Sequence, residues 1–464
     1  MEHMTYFFET YGCEMNIAES ASVEQLLISR GWAKARSAEE AHLVIINTCS
    51  VRGTAEQRIV GRLGHFSGVK KARLGKGAKA GRSEAMRRAM DFAEKNGAVP
   101  LTLVVMGCMA QRLLDTLKEE HPVVDYVVGT FAKHRFGHIL QAVEEKREPF
   151  KISGDDSYVF ADNSYEQGAF STFVPIMHGC NKFCTYCIVP YVRGREQSRP
   201  ADKILQEIDF LSRQNVKEIT LLGQNVNAYR SEDGTAFPGL LQRICDHLDK
   251  THSPIRWIRF ESSNPDDFSD ELISVAARNL HVCKGFHIAA QHGSNEVLRR
   301  MNRKNTREDF LALAEKLREA CPTAQLATDL MVGFPGETEE QFGQLLSFME
   351  AVKFESAFMY YFNPREGTPA ATYKDQIDIA VKKARLKKVI DVQLLHTAEV
   401  MAKRVGETIE VLADIVSRDD ESELLGKTEQ NERVAFKGAR SMTGSFVRVR
   451  LNALSGNTFR GTVV

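Results

Sequence analysis

Three cysteines lie within eight positions of one another in the run Cys180-Asn-Lys-Phe-Cys184-Thr-Tyr-Cys187, with the spacing C-x3-C-x2-C. Three thiols this close together favour a metal centre, and zinc is the usual metal of clustered cysteines. A structural zinc site has four ligands, however, and no fourth cysteine or histidine follows at zinc-finger spacing. Three thiolates on a 4Fe–4S cubane leave one iron open, and an open iron can bind the amino and carboxylate groups of S-adenosylmethionine. The run therefore predicts such a cluster, with a structural zinc site or three unrelated core cysteines as the alternatives.

The composition is that of an ordinary globular protein large enough for two or three domains. The chain has 464 residues, of which 43% are hydrophobic and 26% charged, and Lys+Arg and Asp+Glu both number 61. This balance neither favours nor excludes an acidic partner such as nucleic acid. The nine cysteines are an odd number in a chain without a signal-peptide pattern or a membrane-spanning apolar run. We therefore expect a reduced, cytoplasmic protein without a membrane partner.

The first third of the chain alternates between strand-like and helix-like runs, which predicts a doubly wound α/β domain with a parallel sheet. Strands are predicted at Thr5 to Gly12, Leu43 to Thr48, Leu101 to Gly107 and Tyr126 to Gly129. Helices are predicted at Ile17 to Arg30, Ala55 to Leu63, Arg112 to Glu119 and Phe136 to Glu145.

Three further cysteines, Cys13, Cys49 and Cys108, each follow a different one of these strands. In open α/β sheets the carboxyl ends of the strands are where ligands bind, so the three thiols should converge there and hold a second cluster. The alternative is that each cysteine is a small buried hydrophobe. Cys245, Cys283 and Cys321 share no such position, and we expect them to be structural.

Two segments interrupt this pattern. Within residues 68–98, eight basic residues from Lys70 to Arg88 lie among glycines and alanines, which predicts an inserted loop with a short helix. Such a segment is most often a solvated surface, and phosphate binding is the second interpretation. The polar stretch from Lys151 to Gln167 is typical of an interdomain linker.

A second, longer alternation of strands and helices predicts a partial TIM-type (β/α)6 barrel. Its strand-like runs are Phe170 to Met177, Glu218 to Leu222, Ile255 to Phe260, Gly285 to Ala290, Gln325 to Val332 and Ser356 to Tyr361. The sites of such barrels lie at the carboxyl ends of the strands, and the first loop here carries Cys180, Cys184 and Cys187. Polar residues at other strand ends, including Gln224, Asn225 and Gln291, should face the same cluster.

The last segment follows a long helical run from Ile379 to Lys403 and predicts a small β-barrel. Basic residues including Lys427 and Arg433 indicate a nucleic-acid module, although basic residues are common on small barrels. The predicted domains are therefore residues 1–150, 166–400 and 401–464.

With these residues in view, the chain resembles the methylthiotransferase family of radical-SAM enzymes over nearly its full length. The run from Cys180 to Cys187 resembles the radical-SAM signature, including the aromatic Tyr186 before the third cysteine. The motifs Glu9-Thr-Tyr-Gly-Cys13-Glu-Met-Asn16, Asn47-Thr-Cys49-Ser-Val-Arg52 and Gly107-Cys108-Met-Ala-Gln-Arg112 are similar to the family's three-cysteine domain. The last segment resembles the family's RNA-binding TRAM domain.

The resemblance implies two 4Fe–4S clusters and two uses of S-adenosylmethionine. The Cys180/Cys184/Cys187 cluster would cleave this cofactor to a 5′-deoxyadenosyl radical, with Tyr186 near the adenine and Gln224, Asn225 and Gln291 near its polar groups. The Cys13/Cys49/Cys108 cluster would hold the sulfur that is methylated and transferred. A reductant such as a flavodoxin or ferredoxin and a sulfur donor are implied partners.

Three branches of the family differ in substrate: isopentenyladenosine in tRNA, threonylcarbamoyl-adenosine in tRNA, and an aspartate of a ribosomal protein. The runs Val189 to Pro200 and Leu222 to Tyr229 are similar to the first branch, which acts next to the anticodon, at position 37. Candidate contacts to RNA are Arg193, Arg195, Arg199, Lys427 and Arg433, with the cofactor's carboxylate as an alternative for the first three. His292 stands where the family often has serine. An iron–sulfur electron carrier or sensor with an RNA-binding tail is the alternative of another class.

Overall fold

The computed structural model describes residues 4–50, 53–75, 83–97, 99–155 and 157–464. The chain forms two compact units. The first comprises Met1–Gln167, Phe173–Asn181 and Ile188–Gln197, and the second comprises Gly168–Thr172, Lys182–Cys187 and Ser198–Val464. The first unit thus includes two segments that the predicted boundaries assign to the central domain. Among the described residues, no helix is long and apolar enough to cross a bilayer.

The described part of the first unit contains one parallel sheet with the strand order β2-β1-β3-β4-β5. Its strands are β1 (Thr5–Thr10), β2 (Ala33–Lys34), β3 (Leu43–Thr48), β4 (Thr102–Gly107) and β5 (Tyr126–Val128). Its helices are α1 (Glu14–Ser29), α2 (Gly53–Arg73), α3 (Glu84–Asn96), α4 (Cys108–Arg112), α5 (Leu117–Glu120) and α6 (Phe136–Glu144). This order reverses direction between β1 and β3, and ligands bind at such switch points.

The central strand β3 reads Leu-Val-Ile-Ile-Asn-Thr and is buried along its whole length. A continuous apolar run is what a parallel strand needs when helices cover both of its faces. Val44 and Ile46 pack in one core with residues of α2, whereas Leu43 and Ile45 pack in the other with residues of α1 and α6. The predicted doubly wound sheet is therefore confirmed.

The basic segment around residues 68–98 is more helical than predicted. Helix α2 continues to Arg73, and α3 spans thirteen residues whose Ala89 and Ala93 are buried. Arg73 is itself buried and donates hydrogen bonds to the carbonyls of Glu39 and Ala41. Residues 76–82 and 98 lie outside the described residues. The predicted helix from Arg112 to Glu119 is wrong, because α4 ends at Arg112 and α5 begins at Leu117.

The partial (β/α)6 barrel is confirmed by two groups of parallel strands, ordered β10-β9-β6 and β11-β12-β13. Parallel bridges between Ile258 and Val282 and between Ser263 and Ile288 join the two groups. The strands are β6 (Ser171–Pro175), β9 (Glu218–Leu222), β10 (Trp257–Phe260), β11 (Gly285–His287), β12 (Gln325–Val332) and β13 (Ser356–Tyr361). The short strands β7 (Met177–His178) and β8 (Gln197–Ser198) pair with each other.

The helices of this half begin with α7 (Val189–Arg193), which belongs to the first unit. The others are α8 (Ala201–Arg213), α9 (Phe237–Thr251), α10 (Asp270–Arg278), α11 (Asn295–Arg300), α12 (Arg307–Ala320), α13 (Glu339–Val352) and α14 (Ile379–Lys403). Reciprocal capping boxes, Thr306 with Asp309 and Thr338 with Gln341, start α12 and α13.

The last segment forms a closed barrel in the order β14-β15-β16-β18-β17, as the small β-barrel prediction requires. Its strands are β14 (Thr408–Val416), β15 (Glu423–Thr428), β16 (Arg433–Lys437), β17 (Phe446–Ser455) and β18 (Thr458–Val463). The sequence prediction missed β15. Its run Glu-Leu-Leu-Gly-Lys-Thr is short and interrupted by Gly426, where a Cβ would lie 2.7 Å from the Leu412 carbonyl oxygen.

This small barrel packs against the amino-terminal ends of the strands of the (β/α)6 barrel, within the second unit. Arg259 is buried, pairs with Glu218 at 2.9 Å and donates hydrogen bonds to the carbonyls of Thr428 and Glu429 at 2.8 and 2.7 Å. The Trp257 and Phe446 rings meet edge to face at 4.8 Å. The carboxyl ends of the same strands therefore remain uncovered by the small barrel.

Candidate active site

Cys13, Cys49 and Cys108 each lie directly beyond one of three adjacent parallel strands, β1, β3 and β4. Cys49 and Cys108 are buried, whereas Cys13 is exposed. The three thiols influence one another's surroundings electrostatically. Cys13 and Cys49 both raise the pKa of Cys108, and Cys108 and Cys13 both raise the pKa of Arg193. The structure therefore places at one edge of the sheet three thiols that are 95 positions apart from first to last.

Two glycines allow the cysteine loops to approach this closely. Gly12 and Gly107 have φ values of +137° and +98°. A Cβ at Gly12 would lie 2.6 Å from the Cys49 Cβ, and one at Gly107 would lie 2.5 Å from the Thr48 carbonyl oxygen. Both separations are far below van der Waals contact, so a side chain at either position would displace the loops that carry the thiols.

Asn16 and Asn47 tie the loops after β1 and β3 together. Both are fully buried. Asn16 Nδ2 donates to Asn47 Oδ1 at 2.8 Å and to the Thr48 carbonyl at 3.0 Å, and Asn47 Nδ2 donates to the Asn16 carbonyl at 2.9 Å. The Cys13 thiol in turn donates to Asn16 Oδ1 at 3.2 Å. These bonds determine where the first two thiols lie.

Arg193, predicted to contact RNA or the cofactor, instead lies beside Cys108 in the first unit. Its Nε donates to the Cys108 Sγ at 3.2 Å, and its Nη1 pairs with Glu19 at 2.8 Å. Glu19 also pairs with Lys133 at 2.6 Å. Burial alone would raise the pKa of Glu19, but Arg193 and Lys133 outweigh it and lower the pKa to about 2. The arginine side chain is 3% exposed, which argues against a role in binding phosphate.

Burial and the neighbouring Arg193 act on the pKa of the Cys108 thiol in opposite directions. Burial raises the pKa of Cys108 to about 11, and the positive charge of Arg193 acts in the opposite direction. A thiolate at this position therefore needs further cationic stabilisation, such as the iron atoms of a cluster would supply. The donor set fits the second cluster in this respect.

The loop with the C-x3-C-x2-C spacing is divided between the two units, with Cys180 in the first and Cys184 and Cys187 in the second. Gly179, with φ +79°, approaches the Arg195 carbonyl too closely for any side chain, and the Cys180 amide donates to the Gly194 carbonyl at 3.1 Å. In the second unit, the amide of Cys187 donates to the Cys184 carbonyl at 2.9 Å.

Residues after α11 hold the Cys184 side of this loop. The Thr185 amide donates to the Met301 carbonyl, and Asn302 Nδ2 donates to the Phe183 carbonyl, both at 3.0 Å. Tyr186 packs in a small core with Met331, which lies on β12. Burial and the neighbouring Cys184 raise the pKa of Tyr186 well above its ordinary value, so its hydroxyl stays protonated.

Arg303 is a site residue that the sequence analysis missed. Its side chain hydrogen-bonds that of Cys184 and donates to the Ala289 carbonyl. Burial lowers the pKa of Arg303, but Tyr186 and Cys184 outweigh it and the pKa is raised. Its Nε is buried without a hydrogen-bond partner among the described residues, which leaves a donor available beside the cysteine loop. Only its position after Met301-Asn302 could have signalled this role.

The predicted cofactor-binding residues lie at the carboxyl ends of the barrel strands. Asn225 is 2% exposed and donates to Asp267 at 2.8 Å, and Gln224 is half-buried. Gln291 has φ +69° and is buried, and its backbone bridges to β12 through Asp329 and Met331. The strained φ aims the Gln291 side chain in a direction that an extended residue would not take.

His292 is buried among polar groups and does not reach a surface. Its Nδ1 accepts a hydrogen bond from the Ser294 amide at 2.9 Å, and its Nε2 lies 3.6 Å from Glu337. Glu337 accepts bonds from the Gly333 amide at 2.6 Å and from Arg385 at 3.0 Å. This residue therefore supports the strand-end loops, although the family often has serine there.

The remaining basic candidates differ in exposure. Arg199 is buried in an ion pair with Glu207, which argues against an RNA contact. Arg195 is part of the loop backbone that Gly179 approaches. Lys427 lies 3.7 Å from Asp414 and 3.9 Å from Glu218, within the contact between the two barrels. Arg433 is exposed at the start of β16.

Comparison with known proteins agrees with this architecture. Residues 174–349 match the Radical SAM superfamily, residues 402–464 match the TRAM domain, and residues 5–129 match the uncharacterized protein family UPF0004. The tRNA-2-methylthio-N(6)-dimethylallyladenosine synthase of Treponema pallidum (strain Nichols) is 47% identical over 99% of both chains. The protein of the same name from Treponema denticola is 45% identical over 99% of this chain and 100% of its own.

This chain belongs to the radical-SAM methylthiotransferase family. Its similarity to these synthases extends over both cysteine groups and the TRAM barrel. The radical S-adenosylmethionine methyltransferase TsrM from Kitasatospora setae, solved with cobalamin and a [4Fe-4S] cluster, shares the fold. It has a TM-score of 0.58 and 16% identity and covers 80% of this chain and 77% of its own.

The assignment of two clusters in this methylthiotransferase rests on the positions of the cysteines and on the groups that contact their sulfurs. Among the described residues, no three Cys, His, Asp or Glu side chains are already arranged to hold a metal ion. The thiols of each group nevertheless occupy strand-end loops, where ligands bind in α/β folds, and each group has an arginine hydrogen-bonded to one of its sulfurs. Cys245, Cys283 and Cys321 are buried in the hydrophobic interior, as expected for structural cysteines.

Proposed function

We propose that this methylthiotransferase attaches a methylthio group to C2 of N6-isopentenyladenosine next to the anticodon, at position 37 of tRNA. The observation that carries the proposal is the presence of two three-cysteine groups, on two different parallel-strand architectures, in a chain that matches the synthases from end to end. A carrier protein would need only electron-transfer clusters, and the strand-end loops around Cys184 would then have no ligand.

The cofactors are S-adenosylmethionine and 4Fe–4S clusters. We assign Cys180, Cys184 and Cys187 to one cluster and Cys13, Cys49 and Cys108 to the other. When bound, the first supplies a 5′-deoxyadenosyl radical from the cofactor, and the second supplies the sulfur that is methylated and transferred. The ring C–H at adenine C2 is not acidic enough for removal by a general base, which explains why radical chemistry is needed.

The second unit supplies the residues that bind and orient S-adenosylmethionine. Tyr186, held in a core with Met331, presents a rigid aromatic edge beside the cysteines and would lie near the adenine. The buried, unpaired Nε of Arg303 would donate to a carboxylate or a cluster sulfide. Gln224, Asn225 and Gln291, at two other strand ends, would bind the polar groups of the cofactor.

The carboxy-terminal barrel would bind the phosphates of the anticodon stem-loop. Arg433 and Lys437 are exposed on β16, and Arg448 and Arg450 on β17, whereas the exposed Arg460 on β18 pairs with Glu423. These strands are neighbours in the barrel, so the side chains form a basic surface that we call the β16–β18–β17 face. Phosphate contacts of this kind give affinity and orientation without base selectivity. Lys427 lies near two carboxylates, so we expect it to contribute less than Arg433.

The substrate pocket decides reactivity rather than the phosphate contacts. An adenine that carries an apolar N6 isopentenyl group needs an apolar pocket, and single-stranded loop bases are recognised in the splayed-out state. The partners of the reaction are the tRNA, a low-potential reductant such as a flavodoxin or ferredoxin, and a sulfur donor.

The test uses anaerobically reconstituted full-length protein, S-adenosylmethionine, a chemical reductant and three synthetic anticodon stem-loops. The loops carry isopentenyladenosine, unmodified adenosine or threonylcarbamoyl-adenosine at the same position, and nucleosides are analysed by mass spectrometry. We expect 2-methylthio product from the isopentenyl loop at a rate at least about tenfold above the others, since one apolar group contributes about 1–3 kcal/mol of discrimination. A better reaction with the threonylcarbamoyl loop or with a ribosomal protein would contradict the substrate assignment.

A further inference from the structure

The strongest feature that the proposed function leaves unexplained is a buried cationic cluster in the first unit. It consists of Arg193, Lys133, Glu19 and His178. The Arg193 side chain is 3% exposed, Glu19 is 2% exposed and Lys133 is 9% exposed. Burying a charge is costly unless it is paired, so a group of this kind needs a reason.

The charges of this cluster do not balance. Arg193 and Lys133 contribute two positive charges, and Glu19 contributes one negative charge, which leaves one positive charge unmatched. His178 is a buried neighbour of Arg193. Its ring stacks on Tyr158 at 3.6 Å, and its Nδ1 accepts a hydrogen bond from Arg193.

The Arg193 guanidinium directs one of its donors at the sulfur of Cys108. Arg193 Nε donates to the Cys108 Sγ at 3.2 Å while Nη1 is held by Glu19 at 2.8 Å. The carboxylate thus orients the guanidinium, and the Nε donor is left to contact the sulfur assigned above to a cluster. Cys108 also shares a small hydrophobic core with Ile188 and Val192 of the segment that carries Arg193.

We propose that Arg193 sets the reduction potential of the cluster held by Cys13, Cys49 and Cys108, acting through the Cys108 sulfur. This inference rests on the cluster assignment in the proposed function. A 4Fe–4S cluster on three thiolates is anionic, and it becomes more negative by one charge on reduction. A hydrogen bond and a positive charge at a ligand sulfur stabilise the reduced form more than the oxidised form and so raise the potential.

Glu19 should act in the opposite direction to Arg193. Its carboxylate offsets part of the positive charge near Cys108, so removing the negative charge should raise the potential further. A purely structural role for this ion pair predicts no such change of sign. Lys133 remains paired with Glu19 when Arg193 is replaced, which limits the damage to folding.

The experiment uses full-length protein in which Cys180, Cys184 and Cys187 are alanine, so that only the cluster of interest is present. Its midpoint potential is measured by a redox titration monitored by electron paramagnetic resonance, with iron content determined in parallel. In Arg193→Met we expect the reduction equilibrium to shift at least about tenfold toward the oxidised form, which is about 59 mV for one electron. Arg193→Lys should shift it in the same direction by less, and Glu19→Gln should shift it in the reverse direction.

The matched control is Arg73→Met, which removes another buried arginine of the first unit that bonds only backbone carbonyls among the described residues. Its potential should not change. Unchanged potentials in the Arg193 variants, or shifts of the same sign in Arg193→Lys and Glu19→Gln, would overturn the inference. If Arg193→Met loses its cluster, the inference is still tested by whether Arg193→Lys and Glu19→Gln shift the potential in opposite directions. Absence of any cluster in the triple-alanine parent would instead refute the proposed function.

Discussion

Asn16 and Asn47 hydrogen-bond to each other reciprocally at the carboxyl edge of the first sheet, with donor–acceptor distances of 2.8 and 2.9 Å. Both side chains are fully buried, and they join the loop that carries Cys13 to the one that carries Cys49. The pair therefore determines how far apart these two thiols lie.

Replacing Asn47 by alanine should destabilise the first unit and impair cluster binding there. The change removes two donated bonds, to the Asn16 carbonyl and the Ser20 hydroxyl, and leaves Asn16 Nδ2 without the Asn47 acceptor. Unsatisfied buried groups cost about 1–3 kcal/mol each, so we expect a loss of about 2–4 kcal/mol. Urea unfolding of the apo protein and iron content of the reconstituted protein measure the effect. The exposed Asn452→Ala is the control, and equal midpoints for the two variants would refute the role of Asn47.

Gly107→Ala should abolish the Cys13/Cys49/Cys108 cluster, because the added side chain causes a steric clash as well as backbone strain. Its φ is +98°, and the added Cβ would overlap Asn47 Oδ1 and the Thr48 carbonyl. Gly97→Ala is the matched control, because Gly97 has φ +75° but an added Cβ there would meet no atom of the described residues within 4 Å. Electron paramagnetic resonance of both variants, in the Cys180/Cys184/Cys187→Ala parent, should show the cluster only in Gly97→Ala. A full signal from Gly107→Ala would contradict the packing argument.

Arg259→Met should loosen the carboxy-terminal barrel without disturbing cofactor cleavage. Arg259 is buried and bonds both Glu218 and the Thr428 and Glu429 carbonyls. Removing one partner of a buried ion pair costs about 3–5 kcal/mol, whereas the exposed pair of Arg256 with Glu410 should contribute about 0–1 kcal/mol. Limited proteolysis near residue 404 should therefore be faster in Arg259→Met than in Arg256→Met. Equal cleavage rates would show that the ion pair does not hold the barrel.

Arg433→Gln should weaken tRNA binding in a salt-dependent way, and Lys427→Gln should weaken it less. Arg433 is exposed on the β16–β18–β17 face, whereas Lys427 lies within 4 Å of Asp414 and Glu218. Loss of one phosphate contact lowers the slope of log K against log salt by about 0.7–0.9. Binding titrations of an anticodon stem-loop at several salt concentrations measure this slope. A larger effect at Lys427 than at Arg433 would place the RNA surface elsewhere on the barrel.

The sequence is informative about those parts of the site that depend on local pattern. Apolar runs such as Leu43 to Thr48 mark buried strands, and parallel topology then brings Cys13, Cys49 and Cys108 to one edge although they are far apart in the chain. The ends of the glycine-free helix α14 were predicted correctly, because its run of helix-forming residues has clear limits.

The roles of the arginines could not be predicted in the same way. Arg193 pairs with Glu19 across 174 positions, and no local pattern distinguishes it from the exposed Arg195 two residues later. Lys427 and Arg433 look equivalent in sequence, but only the packing of the small barrel on Glu218 separates them. Long-range burial decides whether a basic residue binds a partner or the protein itself.

The measurement that tests the central claim most directly is iron content together with product analysis in the two triple-alanine variants. The reconstituted parent should hold about eight irons, and each variant about four. The Cys13/Cys49/Cys108 variant should still form 5′-deoxyadenosine but no methylthio product, and the Cys180/Cys184/Cys187 variant should form neither. A full iron complement in either variant, or methylthio product from the first, would contradict the assignment of two clusters with separate roles.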